Sequence, residues 1–149
     1  MKENVWHVYL AGEIHSDWRE RIVAGAKKAG LGVNFSAPVT NHDDSDRCGV
    51  NILGDEPVSF WKDRKGAGIN AIRTSSLIGR ADVVVVRFGP KFKQWNAAFD
   101  AGYAAALNKP LIILHDEEHD HALKEVDAAA SATARTPEQV VEILCYVFS

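Results

Sequence analysis

Four consecutive valines, Val83–Val86, are the sequence feature that most constrains the fold of this chain. They lie in the segment 82–88, which Gly89-Pro90 ends. A strand that is apolar on both faces is typical of a parallel sheet with helices on both sides, whereas a strand with one face in water alternates apolar and polar residues. The run therefore predicts a buried central strand of an α/β protein.

Further segments have the length and composition of short strands, and helical patterns separate them. This alternation predicts an α/β fold in which right-handed crossovers link parallel strands. We therefore expect one domain of 149 residues, a flavodoxin-like or Rossmann-like three-layer sandwich with a parallel sheet of about five strands. The other strands are predicted over 5–10, 33–37, 111–114 and, at an edge, 130–134.

Start and stop signals bound the helices. Asp17 and Glu20 have the spacing of a capping box, and Gly30 is suited to end the same helix. Asn96 and Thr136 are suitable N-caps for two later helices. Helices are predicted over 69–80, 96–107, 119–126 and 137–148, and residues 38–66 are predicted as an irregular loop with one helical turn near 58–62.

Composition excludes several classes of function. The net charge of −3 and the pI near 6.0 lack the basic surface of a nucleic-acid-binding protein. No apolar run approaches the roughly 18 residues that span a membrane. The chain contains no GxGxxG and no GxxxxGK[ST] pattern, which argues against dinucleotide dehydrogenases and P-loop kinases. We expect a cytoplasmic protein that acts on a small molecule and needs no cofactor.

Topology predicts where the site lies. In open parallel sheets, ligands bind beyond the carboxyl ends of the strands, near the point where the strand order reverses. The segments that follow the predicted strands at this edge are 11–17, 38–46, 87–96 and 115–119.

Asp100 is the acidic residue of the apolar helix 96–107 that lies near this edge. The helix dipole is expected to keep it ionised, and it acts either as a nucleophile or general base, or only as a complement to the dipole. Tyr9 either donates a hydrogen bond to Asp100 or packs in the core with its hydroxyl bonded locally. Gly12 either lets the backbone approach a ligand or makes the turn.

Three motifs resemble, in order, the nucleoside 2-deoxyribosyltransferase superfamily, and most closely its YtoQ family. They are Tyr9-Leu10-Ala11-Gly12, then Ala81-Asp82-Val83-Val84-Val85, and then Asp100-Ala101-Gly102-Tyr103-Ala104 with Asn108-Lys109-Pro110-Leu111 after it. The resemblance covers most of the chain except 38–66. It implies a flavodoxin-like fold and a transferase or hydrolase that cleaves the N-glycosidic bond of a nucleoside, nucleotide or related N-glycoside.

The resemblance also implies roles for particular residues. Asp100 stands where the superfamily has its nucleophilic glutamate, which is one methylene longer, and Tyr9 stands where a tyrosine orients that carboxylate. Self-association into a homo-oligomer is implied in the same way. The expected substrate-binding residues are Gly12, Glu13, Arg73, Arg87, Gln94, Trp95 and Asn96.

Some of these positions have open alternatives. Arg73 and Arg87 either bind a phosphate or carboxylate or are ordinary surface charges, and Trp95 either stacks on a nucleobase or packs at an interface. Gln94 and Thr74 stand where the superfamily often has acidic residues, so the sugar-binding set differs. The segment 115–121, with three histidines, is interpreted as a solvated loop rather than a zinc site, so no metal is expected.

Two other functions remain possible on the same fold. The first is a non-catalytic nucleotide or nucleotide-sugar binding module, in which the change from glutamate to Asp100 has ended catalysis. The second is a receiver domain like that of response regulators, which needs an aspartate at the end of the third strand. The chain has Arg87-Phe88-Gly89 there, which argues against it.

Overall fold

A computed structural model describes residues 5–91 and 93–149. Its five strands form one parallel sheet in the order β2-β1-β3-β4-β5, which is the strand order of flavodoxin-like folds. The predicted α/β fold with a parallel sheet is therefore confirmed. The strands are β1 (Trp6–Gly12), β2 (Val33–Ser36), β3 (Val83–Phe88), β4 (Leu111–His115) and β5 (Ala132–Ala134).

Helices cover both faces of this sheet. One face packs against α1 (Trp18–Lys28) and α6 (Pro137–Val147). The other packs against α3 (Ser59–Arg80), α4 (Trp95–Ala106) and α5 (Lys124–Ala129). The remaining helix, α2 (His42–Leu53), packs against α3, and a 3-10 turn covers Glu117–His119. In the described residues, no helix is both long enough and apolar enough to cross a membrane.

The valine run is explained by these two layers. Val84 and Val86 belong to the core under α3 and α4, whereas Val83 and Val85 belong to the core under α1 and α6. Because side chains alternate along a strand, every position of β3 up to Val86 meets a helical layer. Tyr9 of β1 lies in the first of these cores.

The prediction of an irregular loop over 38–66 is wrong, because α2 and the first part of α3 occupy most of it. Gly49 of α2 and Gly66 of α3 are contact points between these two helices, because a Cβ on Gly49 would lie 2.3 Å from the backbone nitrogen of Gly66. Asn41 caps α2, since its side chain accepts a hydrogen bond from the backbone N–H of Asp44 at 3.1 Å.

The capping predictions have different outcomes. Asp17 is the N-cap residue of α1, as predicted, but its side chain forms no capping bond within the described chain, and with φ −89° and ψ 16° it lacks the extended backbone of a typical N-cap. The prediction for Asn96 is wrong. Asn96 lies inside α4, whose N-cap is Gln94. The cap at Thr136 is confirmed, because its hydroxyl accepts from the Gln139 N–H at 3.2 Å.

The C-terminal elements differ from prediction by a few residues. The helix predicted over 119–126 is replaced by the 3-10 turn Glu117–His119 and by α5, which begins at Lys124. The edge strand predicted over 130–134 is confirmed in shorter form as β5.

Candidate functional site

The strand order reverses between β1 and β3, so a ligand-binding crevice is expected where the carboxyl ends of these two strands meet. The Glu13 N–H donates to the Arg87 carbonyl at 3.1 Å. Gly12 has φ +113°, and a Cβ there would lie 2.1 Å from the Arg87 carbonyl oxygen. This close contact between the two strands requires glycine at position 12, and it explains why glycine stands at this turn.

Tyr9 contributes a buried hydroxyl to this region. The side chain is fully buried, and among residues 5–91 and 93–149 its oxygen has no hydrogen-bond partner of normal geometry. Burial raises the pKa of Tyr9, and the Asp100 carboxylate adds to this rise. The Thr74 hydroxyl and the charges of Arg19 and Arg73 oppose it. Tyr9, Thr74, Arg73 and Asp100 are therefore neighbours, although the hydrogen bond predicted from Tyr9 to Asp100 is not formed.

Asp100 is the sixth residue of α4 and is partly exposed. Its carboxylate makes no hydrogen bond and no ion pair within the part of the chain that the structure describes. Burial raises its pKa to about 6. The expectation that the helix dipole governs this carboxylate is wrong, because the dipole acts mainly within the first turn and Asp100 lies beyond it. Most of the Asp100 population is still ionised at neutral pH.

The start of α4 carries further predicted site residues. Asn96 lies one turn before Asp100, so the two side chains share a flank of the helix. Trp95 is 75% exposed, and Lys93 Nζ lies 5.8 Å from the centre of its ring. Gln94 binds its own loop, since it accepts from the Gly89 N–H at 2.8 Å and donates to the Lys91 carbonyl at 2.9 Å.

Glu13 is buried, and its hydrogen bonds go to residues of the loop that follows β1. Its carboxylate accepts from the His15 N–H at 2.6 Å and from the Ser16 hydroxyl. Its backbone carbonyl accepts from the Trp18 indole at 2.9 Å and from Arg19 at 2.7 Å. Glu13 therefore fixes the loop that follows β1.

Arg87 is separated from the Tyr9–Asp100 pair. By strand alternation its side chain leaves the sheet on the face opposite Tyr9. Its Nε lies 3.9 Å from a Glu13 carboxylate oxygen, and one terminal nitrogen lies 3.7 Å from Asp116. Its Nε is buried and lacks a hydrogen bond in the described ranges. Only Arg73 of the two predicted arginines is among the charges that act on Tyr9.

Sequence reasoning missed Arg19. Its buried guanidinium donates to the carbonyls of Leu10, Gly12 and Glu13 at 3.0, 3.0 and 2.7 Å, and burial lowers its pKa. This residue closes the carboxyl end of β1. An arginine at the start of a helix resembles an exposed charge, and its backbone acceptors leave no sequence pattern.

His115 is fully buried at the end of β4, so its interpretation as part of a solvated loop is wrong. Its Nε2 lies 2.8 Å from an Asp127 carboxylate oxygen, and its Nδ1 lies 2.7 Å from the Asp116 carbonyl. His115, Asp120 and Asp127 have a spacing that metal ligands can adopt. However, the guanidinium of Arg135 lies 2.5 Å from Asp120 and supplies the positive charge there.

Comparisons with known proteins agree with this architecture. A family model described as nucleoside 2-deoxyribosyltransferase YtoQ matches residues 9–148. The chain is 48% identical over 141 residues to the uncharacterized protein YtoQ of Bacillus subtilis (strain 168), covering 95% of each protein.

Two solved structures share the fold at low sequence identity. A 2-deoxyribosyltransferase from the psychrotolerant bacterium Bacillus psychrosaccharolyticus is 16% identical, with a TM-score of 0.54 over 91% of this chain and 90% of that one. A conserved protein from Enterococcus faecalis V583 is 14% identical, with a TM-score of 0.60 over 93% and 96% of the two chains. At these identities the likeness concerns the fold.

Proposed function

The chain belongs to the nucleoside 2-deoxyribosyltransferase YtoQ family, and we propose that it cleaves or transfers the N-glycosidic bond of a nucleoside, nucleotide or related N-glycoside. The observation that supports this proposal is the proximity of Asp100 to Tyr9. The partly exposed Asp100 carboxylate raises the pKa of the buried Tyr9 hydroxyl, near the sheet edge at which open parallel folds commonly bind ligands. In the described residues neither group has a hydrogen bond of normal geometry.

In the proposed reaction, Asp100 attacks the anomeric carbon. A bond forms between its carboxylate oxygen and that carbon, and the bond to the base nitrogen breaks, so that the base leaves with the electron pair and takes up a proton. Water or a second base then attacks the same carbon and releases Asp100. A carboxylate near one face of the sugar also stabilises the oxocarbenium-like transition state. The raised pKa of Asp100, about 6, keeps it ionised yet basic at neutral pH.

Tyr9 orients the nucleophile in this scheme. Its hydroxyl has one proton to donate, and Asp100 is the nearby carboxylate that acts on it. Hydrogen bonds in active sites often tighten only when substrate is bound. We therefore propose that the Tyr9–Asp100 hydrogen bond forms in the substrate complex.

The remaining predicted residues have supporting roles in this proposal. Trp95 offers an exposed indole on which a base can stack, and Asn96 shares the flank of Asp100. Glu13 and Gln94 hold the loops that form the walls. Gly12 keeps the ends of β1 and β3 in contact.

Self-association is part of the same proposal, together with a cytoplasmic location. The hairpin of α2 and α3 exposes large apolar side chains and carries an open groove of about 300 Å³. Apolar patches of this kind often mark protein interfaces, and light scattering tests whether copies associate. The exposed apolar residues of the hairpin are Ile52, Leu53, Val58, Phe60, Trp61 and Ile72.

The decisive experiment measures release of free base from purine and pyrimidine nucleosides and their 5′-monophosphates. Asp100→Asn is expected to lower the rate by at least about 1000-fold, and Tyr9→Phe by a smaller factor. Asp63→Asn, at an exposed position of α3, is the matched control. A sugar adduct on the Asp100 peptide, detected by mass spectrometry, supports the covalent step. Release of free base by Asp100→Asn at the wild-type rate contradicts the covalent step.

A non-catalytic binding module is the second candidate, because Asp100 is shorter than the glutamate that the resemblance implies. Misplacement of a reacting group by about 1 Å can cost about 100-fold in rate. Calorimetric binding of a nucleotide without release of base by the wild type favours this module. Appearance of base release in Asp100→Glu would then identify the shorter side chain as the reason.

A further inference from the structure

We propose that Arg73 binds a phosphate monoester on the substrate, so that nucleoside 5′-monophosphates are preferred over neutral nucleosides. This inference rests on the proposed function, and it adds the chemical class of the substrate. Its basis is the position of Arg73 beside the cleft and the absence of an acidic partner for it among the residues described.

The backbone fixes where the Arg73 guanidinium lies. One of its terminal nitrogens donates to the Ala37 carbonyl at 3.0 Å, and Ala37 directly follows β2. In the sheet register, Tyr9 of β1 pairs with Ser36 of β2. The guanidinium is therefore held at the carboxyl end of β2, the strand beside β1. Its anchor, Ala37, lies one residue beyond the level of Tyr9 in the sheet.

The charge of Arg73 is available to a ligand. In the described chain its hydrogen-bond partner is the carbonyl of Ala37, whereas Arg21 and Arg135 are paired with Glu138 and Asp120. An arginine has five donors in a planar fork that matches two oxygens of a phosphate. With one nitrogen anchored on a carbonyl, the other donors remain free and the side chain is already oriented.

Strand order places Arg73 and Asp100 on opposite sides of Tyr9. Arg73 is anchored on the Ala37 carbonyl beyond β2, whereas Asp100 belongs to α4, which packs against β3. In the sheet, β1 with Tyr9 lies between β2 and β3. The charge of Arg73 also lowers the pKa of Tyr9, as does the charge of Arg19.

This separation matches the layout of a nucleotide. The anomeric carbon and the 5′ substituent lie at opposite ends of the pentose, so a sugar over Tyr9 with its anomeric carbon at Asp100 directs its 5′ group toward α3. Arg87 is the weaker candidate, because Glu13 and Asp116 already flank it at 3.9 and 3.7 Å. Two carboxylates there would repel a phosphate.

The test compares Arg73→Gln with Arg80→Gln, a matched control. Arg80 is an exposed arginine of the same helix, and its Nε also donates to a backbone carbonyl, that of Ser76, at 3.2 Å. Calorimetry measures binding of 2′-deoxynucleoside 5′-monophosphates and of the corresponding nucleosides, and base release gives KM for both. Thermal denaturation checks that each variant is folded.

The wild type is expected to bind the nucleotide at least about tenfold more tightly than the nucleoside. Arg73→Gln is expected to remove this preference by weakening nucleotide binding alone, with partial recovery in Arg73→Lys, and Arg80→Gln is expected to behave as wild type. Inorganic phosphate should compete with the nucleotide in the wild type and not in Arg73→Gln.

Equal affinity of the wild type for nucleotide and nucleoside, or an equal loss of both in Arg73→Gln, overturns the assignment. Failure of the wild type to bind any of these compounds also overturns it. The absence of base release from every compound counts against the proposed reaction instead, because the binding comparison still tests Arg73 by itself.

Discussion

Replacing Asp100 with asparagine is expected to stabilise the folded protein at neutral pH, although it removes the proposed nucleophile. Burial raises the pKa of Asp100 from 3.8 to about 6. One pKa unit corresponds to about 1.4 kcal/mol, so the ionised carboxylate costs at most about 3 kcal/mol in the folded state. Partial solvent access reduces this cost, and we expect about 1–2 kcal/mol.

The sign of the pH dependence follows from proton binding. The folded state holds the Asp100 proton more tightly than the unfolded state does, so the unfolded chain loses it first as the pH rises. The contribution of Asp100 to stability therefore falls between the unfolded pKa of 3.8 and the folded value of about 6, and is constant above that window. Asparagine carries no such dependence.

Urea denaturation at about pH 4 and about pH 7.5 measures this effect. The free energy of unfolding of Asp100→Asn should exceed that of the wild type at the higher pH, with a much smaller difference at the lower pH. Asp63→Asn, on the exposed surface of α3, should show no comparable pH-dependent gain. A difference for Asp100→Asn that is equal at both pH values, or a loss of stability at about pH 7.5, would refute the burial argument.

Three other substitutions test the surroundings of the site by thermal or urea denaturation. Tyr9→Phe removes a buried hydroxyl that has no bonded partner in the described chain, so stability should be unchanged or higher by up to about 2 kcal/mol; a clear loss would indicate a hydrogen bond. Gly30→Ala, at φ +73° with no described atom within 4 Å of the added Cβ, should lower the free energy of unfolding by about 1–2 kcal/mol. Gly12→Ala should lower it distinctly more, because the added Cβ also meets a carbonyl of β3. Equal losses of stability in the two variants would contradict this clash. Gly49→Ala should separate α2 from α3 and speed proteolysis of 42–58, and an unchanged cleavage rate would argue against the close helix contact.

The sheet could be predicted from the sequence because its burial leaves a pattern. Val83–Val86 and 111–114 are apolar at every position, since each face of their strands meets a helical layer. Helix α2 and the first part of α3 were not predicted, whereas the later part of α3, over 69–80, was predicted as a helix. Glycines mediate the closest contact between α2 and α3, and several apolar residues of the hairpin are exposed. Glycines among polar residues are typical of a loop, so this composition favoured the wrong interpretation.

The candidate site shows the same division. The neighbourhood of Tyr9 and Asp100 follows from strand order and from the family resemblance, which concern residues at strand ends. The burial of Arg19 and His115 could not be predicted. The Arg19 guanidinium is hydrogen-bonded to backbone carbonyls, and the His115 ring contacts a backbone carbonyl and the carboxylate of Asp127. These acceptors become neighbours only after the chain has folded, and they carry no sequence signal.

Hydrogen bonding separates the walls of the crevice from the residues proposed to react. Glu13, Arg19 and Gln94 have bonded partners that fix the ends of β1 and β3. The buried Tyr9 hydroxyl is left without a bond of normal geometry in the described structure, although buried polar groups are usually satisfied. The partly exposed Asp100 carboxylate has no bonded partner there either. A hydroxyl and a carboxylate that cost stability are expected where binding, rather than folding, satisfies them. Combining Asp100→Asn with Tyr9→Phe should therefore yield a protein that is inactive and more stable than the wild type at neutral pH.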